Sequence, residues 1–66
     1  MNADDLISHT LADKARQAMM EELRRQVAER PEHLAVEHTG DLVRVSGEVD
    51  IDALALVVIG AVAGGP

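Results

Sequence analysis

The 66-residue chain is expected to fold as a small α+β domain of order αββα, with a long N-terminal amphipathic helix, a β-hairpin and a short apolar C-terminal helix. Three patterns carry this reading. Apolar residues recur four apart through the first thirty positions, alternating residues then flank Thr39-Gly40, and every residue from Ala53 to Ala63 is apolar or glycine. A chain of this length builds one small domain at most.

The first helix is expected over 3–30. Ile7, Leu11, Ala15, Met19, Leu23 and Val27 recur at i+4, joined by Ala18 and Met20, and form a ridge that drifts slowly around the helix. Asp4 and Asp5 stand near its N-terminus and Arg24, Arg25 and Arg30 near its C-terminus, as the helix macrodipole favours. Glu21 and Arg25 make an i, i+4 pair in the better orientation. Asn2 is a candidate cap, and Thr10 with Asp13 offers a second, capping-box-like start. The segment therefore reads either as one helix or as a turn over 3–9 followed by a helix over 11–30. Pro31 stops it. A continuous helix over 3–30 spans ~42 Å, whereas a compact chain of this length has a radius of gyration of ~11 Å. Such a helix overshoots its own domain and needs something to lie against.

The hairpin is expected over 33–51, where "HLAVEH" and "LVRVSGEV" flank "TG". With Thr39 and Gly40 as the loop, His38 faces Asp41, Val36 faces Val43 and Leu34 faces Val45, all on one face because side chains alternate with period two. Ala35, Glu37, Leu42 and Arg44 take the other face. A two-stranded sheet is marginal alone, so it must pack on the first helix, on the tail, or edge-on against another copy.

The apolar C-terminal element is expected over 52–64, with Asp52 as its N-cap and Gly64 as its stop. Val57, Val58 and Ile59 are β-branched and also suit a buried strand. Periodicity does not separate the two readings, because the run is apolar on all sides; the cap favours helix.

Composition narrows the function classes. There is no cysteine, so disulfides and thiolate zinc sites are excluded, and there is no Phe, Tyr or Trp to enlarge a core. A domain this small buries only about 60% of its unfolded surface, which leaves oligomerisation as the remaining aid to stability. The net charge of −6 is uneven: residues 1–30 hold six acids against five bases, and residues 31–66 hold six acids against Arg44 alone. That balance does not match the basic footprint of a nucleic-acid binder. No basic segment leads into an apolar one at the N-terminus, so no secretory leader is expected. The tail is about half the ~20 residues that span a bilayer, and synthesis in the cytoplasm is the expected setting. Five arginines against one lysine, with abundant Ala, Val, Asp and Gly, point to a GC-rich coding genome such as that of an actinobacterium or its phage.

No constellation names a reaction. Glu48, Asp50 and Asp52 alternate, so on an extended segment they share a face; they suit either a hard cation or, more simply, a solvated strand edge followed by a helix cap. His33 and His38 differ in strand parity and lie far from His9, which gives no convergent ligand set. Asp5, Ser8 and His9 hold the residue types of a catalytic triad, but neighbours on one helix diverge. Ser46-Gly47 lacks a nucleophile elbow, and no basic residue follows Gly60, Gly64 and Gly65 to make a phosphate loop. No cofactor and no catalytic residue is expected.

From Leu34 to Val49, "LAVEHTGDLVRVSGEV" resembles the central hairpin of BON-type domains, with a strand, a glycine turn and a second strand ending in Ser-Gly-x-Val before an Ala-rich helix. The resemblance covers residues 32–63. The final strand of that family has no counterpart here. It implies an envelope- or membrane-associated module and assigns no site residue.

The leading expectation is a non-enzymatic structural or assembly subunit that oligomerises or docks on a larger assembly. In its narrowest form this is a phage virion component: a minor capsid, decoration or head–tail protein. Leu54, Leu56, Val57, Val58, Ile59 and Val62 are the expected interface residues, joined by Met19, Met20 and Leu23 of the first helix. Fully buried, such side chains contribute ~1.5–3 kcal/mol each, and they offset the ordering of the tail only if most are covered. The alternative is a small dimeric adaptor whose first helix binds a partner helix or groove.

Overall fold

In a computed structural model of the protein, the backbone is described for residues 3–63 and the side chains for residues 10–63. The expected Asn2 cap and Gly64 stop lie outside the described residues, as do the side chains of Asp4, Asp5, Ile7, Ser8 and His9. The order is helix, strand, strand, helix: α1 (Ala3–Glu29), β1 (Leu34–Thr39), β2 (Leu42–Gly47) and α2 (Ile51–Ala63). This is a small α+β arrangement with a helix–hairpin–helix order.

α1 runs without a break through Ser8–Thr10, so the two-part alternative is not taken. Its last residue is Glu29, and Arg30 follows as the half-in flanking residue. The Arg30 N–H still donates to the Gln26 carbonyl at 2.9 Å. Pro31 cannot continue the ladder because it has no N–H. The chain turns instead, and the Arg30 carbonyl accepts from both His33 N–H (3.0 Å) and Leu34 N–H (3.1 Å). One carbonyl thus closes the reversal that starts β1. The expected Glu21–Arg25 pair is not made. Arg25 bonds Glu22 and Glu29 instead, since i, i+3 and i, i+4 acids flank it on the same stripe.

The hairpin forms, but its register differs from the expected one by two residues. Thr39 pairs with Leu42, His38 with Val43, Val36 with Val45 and Leu34 with Gly47, leaving Gly40-Asp41 as the loop. The expected pairs His38–Asp41, Val36–Val43 and Leu34–Val45 are therefore not made. Turn chemistry is the reason. Gly40 has φ of 60° and, among the described residues, no non-glycine residue has positive φ, which is the type II′ pattern with glycine at the first loop position. A loop with Thr39 first would put a β-branched residue there. The two-residue slip keeps every side chain on its expected face, because only an odd slip exchanges faces. Leu34 is buried, Val36 and Val43 are half-buried, and the opposite face is exposed throughout.

α2 is helical, and its first residue, Ile51, comes two before the Ala53 that an Asp52 cap implies. Asp50, not Asp52, is its cap: the Asp50 carboxylate (Oδ1) accepts from Ala53 N–H at 3.1 Å, and the Asp50 carbonyl accepts the first helical bond from Leu54 N–H at 3.2 Å. Asp52 stands in the first turn, where a negative charge meets the positive end of the dipole. Val49 and Leu54 take the two hydrophobic-staple positions across this start. α2 packs along α1, and β1 also packs on α1. The core is small. Among the described residues only Leu23 and Leu34 are buried apolar side chains.

Candidate functional site: an apolar trough beside an uncovered helix

The site is built on α1. At the C-terminal end of α1, a buried polar knot fixes the two elements that form its walls. Gln26 is 1% exposed, and its carboxamide acts as a substitute peptide group toward Asp50. Its Oε1 accepts from Asp50 N–H at 2.8 Å, and its Nε2 donates to the Asp50 carbonyl at 3.1 Å. Nε2 also donates to Glu22 at 2.8 Å. Glu22, itself buried, receives a two-pronged ion pair from Arg25, at 2.8 Å from Nε and 2.6 Å from Nη2. Arg25 and then Gln26 hold the Glu22 carboxyl at a pKa of about 2, well below its ordinary value, against the opposing effect of burial. The same bonds push the Arg25 guanidinium upward. No buried side-chain polar atom among the described residues lacks a partner, so the knot is fully satisfied.

With α2 anchored there, a trough of about 670 Å³ opens between the helices and the hairpin. Its floor is α1, at Ala12, Ala15, Met19, Met20 and Leu23. One wall is β2, at Val43 and Val45, and the other is the junction into α2, at Val49, Ile51 and Leu54. Only Arg16 and Asp41 bring charge to its lining. Beyond Ile51 and Leu54 the apolar surface continues into a second hollow of about 330 Å³, shared by Met19 with Ala55, Val58 and Ile59.

The expected interface residues divide between two faces of α2. Leu54, Val57 and Val58 are half-buried on the side that packs on α1. Leu56 (68%), Ile59 (60%) and Val62 (37%) are exposed on the outer side. In α1, Leu23 is buried, Met20 is half-buried and Met19 is 37% exposed beside the trough. Ile51 at 67% and Val45 at 42% belong to the same surface but were not singled out by sequence. Ile51 had been assigned to the hairpin, and Val45 is an ordinary inward-facing strand position. Glu22 and Gln26 gave no signal either, because polar residues four apart on a helix are usually solvated.

Glu48, Asp50 and Asp52 do not form a joint carboxylate face, since Asp50 is spent on capping. Among the described residues no three His, Asp or Glu side chains come together, and no helix is long and apolar enough to cross a membrane.

No family model matches the chain, and the comparisons with curated proteins and with solved structures found no match. The hairpin's likeness to BON-type domains therefore rests on the residues quoted for it alone.

Proposed function

We propose that the chain is a non-enzymatic structural subunit that docks into a larger protein assembly through the apolar surface of α2. The observation that carries this reading is the uncovered helix. α2 has no buried residue, yet it is the most apolar segment of the chain, and Leu56 and Ile59 lie more than half exposed on it. Monomeric soluble proteins seldom leave a contiguous apolar face of this kind open, and such faces mark interaction sites. Its outer side carries one charge, Asp52, at the capped end. A virion component is the narrowest form of the proposal; the arginine-rich, lysine-poor composition points only to a GC-rich source such as an actinobacterium or its phage.

The test is the state of the chain in its own cell. The tagged protein should sediment with a particle far heavier than 7.1 kDa, and Leu56→Glu should shift most of it to the slow fraction. A wild-type chain that sediments freely in the cell overturns the reading. A second reading is favoured by the trough itself, whose apolar floor and walls suit an amphipathic helix from a partner. In that case the chain is an adaptor. Leu56→Glu would then leave partner binding intact, while Val45→Glu would abolish it.

A further inference from the structure

We infer that the free edge of β2 takes a third strand: an extended segment of a partner protein, apolar at alternate positions and acidic beside Arg44, laid along residues 43–45 over the trough. The inference rests on the proposed structural role and states what kind of partner segment fills the trough. The main chain sets the form of the occupant. The His33 carbonyl accepts from Glu48 N–H at 2.9 Å, which makes His33 and Glu48 a bonded pair of the antiparallel ladder. Bonded pairs alternate with unbonded ones, so in the observed register they recur at Ala35–Ser46, Glu37–Arg44 and Thr39–Leu42. The N–H and C=O groups of Val43 and Val45 therefore point away from β1, toward an edge that no other strand pairs with among the described residues. β2 contains no proline, and its register runs without a bulge from Leu42 to Gly47, so two of the usual devices that blunt an edge are missing. Of the two strands only β1 packs closely on a helix, and α2 lies close to α1 but to neither strand. A gap thus separates β2 from α2, with α1 beneath it. A helix laid there has spent its own main-chain groups internally, whereas an extended chain answers the open groups of Val43 and Val45.

The hollows beside β2 agree with this. A strand sends successive side chains to opposite faces, and space is open on both faces of this edge. On the inner face lies the trough of about 670 Å³, with Val43 and Val45 in its wall. A separate hollow of about 350 Å³ is lined by Thr39, Leu42, Val43 and Arg44. Leu42 and Arg44 belong to the outer face, so this hollow opens on the other side of the edge, and Val43 borders both. Val36 and His38, whose main-chain groups face out on the edge of β1, line neither hollow. In strand addition, main-chain bonds give affinity and pockets for alternate side chains give specificity; β2 offers both.

Charge sets the outer position. Arg44 is exposed, makes no ion pair among the described residues and is the sole base in residues 31–66. An acidic side chain at the neighbouring position of the added strand meets it. A second copy does not supply that acid. Its β2, in the antiparallel register where Val43 and Val45 of each strand bond those of the other, brings the two Arg44 side chains face to face, a destabilising like-charge pair.

Amide NMR of the isotope-labelled full chain tests the inference, with an end-blocked peptide that alternates valine with threonine and glutamate as the probe. On titration the Val43 and Val45 amide protons should move downfield and exchange more slowly. A synthetic chain N-methylated at Val45 should keep its far-ultraviolet spectrum and bind the peptide at least about tenfold more weakly, or ~1.4 kcal/mol. Arg44→Gln should weaken binding about threefold, as loss of an exposed ion pair does, and should not affect a peptide with glutamine in place of glutamate. The inference is overturned by Val43 and Val45 amides that stay unchanged at millimolar peptide, by undiminished binding to the N-methylated chain, or by an Arg44→Gln chain that binds the glutamate peptide as the wild type does. A peptide with valine at i, i+4 that binds the trough more tightly overturns it in favour of a helix. Protection of both amides in the chain alone overturns it in favour of a second copy. If the peptide fails while the chain still sediments with a heavy particle in the cell, the strand is lost and the structural role stands. A chain that sediments freely in the cell yet binds the peptide along β2 keeps the strand site and loses that role.

Discussion

Glu22 is a buried carboxylate that stays charged because Arg25 and Gln26 together supply three hydrogen bonds to it. Its pKa lies at about 2 in the fold, against an ordinary value of 4.5. A carboxyl whose pKa is depressed by folding contributes stability above its unfolded pKa and loses it as pH falls toward the folded one. The window is therefore about pH 4.5 down to about 2. Urea unfolding across that range should show a loss of stability that Glu22→Gln largely removes, because the variant has no proton to take up. An unchanged slope in Glu22→Gln would place the acid sensitivity elsewhere. Gly47 is a second position where one residue decides. Its φ is 114°, and a Cβ there would lie 2.0 Å from the His33 carbonyl oxygen, which accepts from Glu48 N–H. Backbone cannot retreat as a flexible side chain can. Gly47→Ala should break the closure of the hairpin, with loss of cooperative unfolding. Gly40→Asn would meet no atom within 4 Å and carries only the strain of its positive φ, so it should cost less than Gly47→Ala; thermal denaturation followed by circular dichroism compares the two.

At the scale of elements, each segment's existence was readable in the chain, and its fine placement was set by local chemistry that pattern alone does not weigh. The apolar alternation on both sides of residue 40 identifies a hairpin and its inner face. It does not choose between loops at 39–40 and 40–41, because registers two residues apart bury the same side chains. The requirement for a left-handed first loop residue makes that choice, and only Gly40 meets it without strain. The C-terminal helix shows the same division. Val57, Val58 and Ile59 would serve a strand, but the Asp50 cap and the Gln26 amide bind the start of α2 in helical geometry. Asp50→Ala should cost about 1 kcal/mol in chemical denaturation, and Asp52→Ala distinctly less, since Asp52 meets only the dipole. Equal losses would mean that the cap is not specific to Asp50. The interface residues were partly legible for a further reason: an all-apolar run signals burial but not direction. The division of α2 into a half-buried inner side and an open outer side depends on where α1 lies.

For the whole molecule, the governing quantities are its thin core and its extent. The molecule measures 45 × 25 × 13 Å, with a radius of gyration of 13.6 Å, larger than the ~11 Å of a compact chain of its length. The long helix sets that length, and neither the hairpin nor α2 is long enough to match it. Among the described residues, two buried apolar side chains and one satisfied polar knot form a small core. Stability should then depend on association. Any partner that binds only the folded chain raises its stability by mass action, so the melting temperature should climb several degrees between micromolar and hundreds of micromolar protein. A concentration-independent melting temperature would show that the fold is self-sufficient.

The Gln26 amide bonds the main chain at residue 50, not its side chain. Position 50 is thereby released from the task of holding the two helices together. Any residue with a capping side chain, Ser, Thr or Asn as well as Asp, can occupy it while the backbone remains fastened. Position 26 has no such latitude: it needs a donor and an acceptor on one planar group of fixed length, beside a carboxylate. Asn is too short, and Glu lacks the donor and repels Glu22. In a library randomised at both sites, survivors should be varied at 50 and nearly uniform at 26, so the less conspicuous residue of the pair is the one selection would hold fixed.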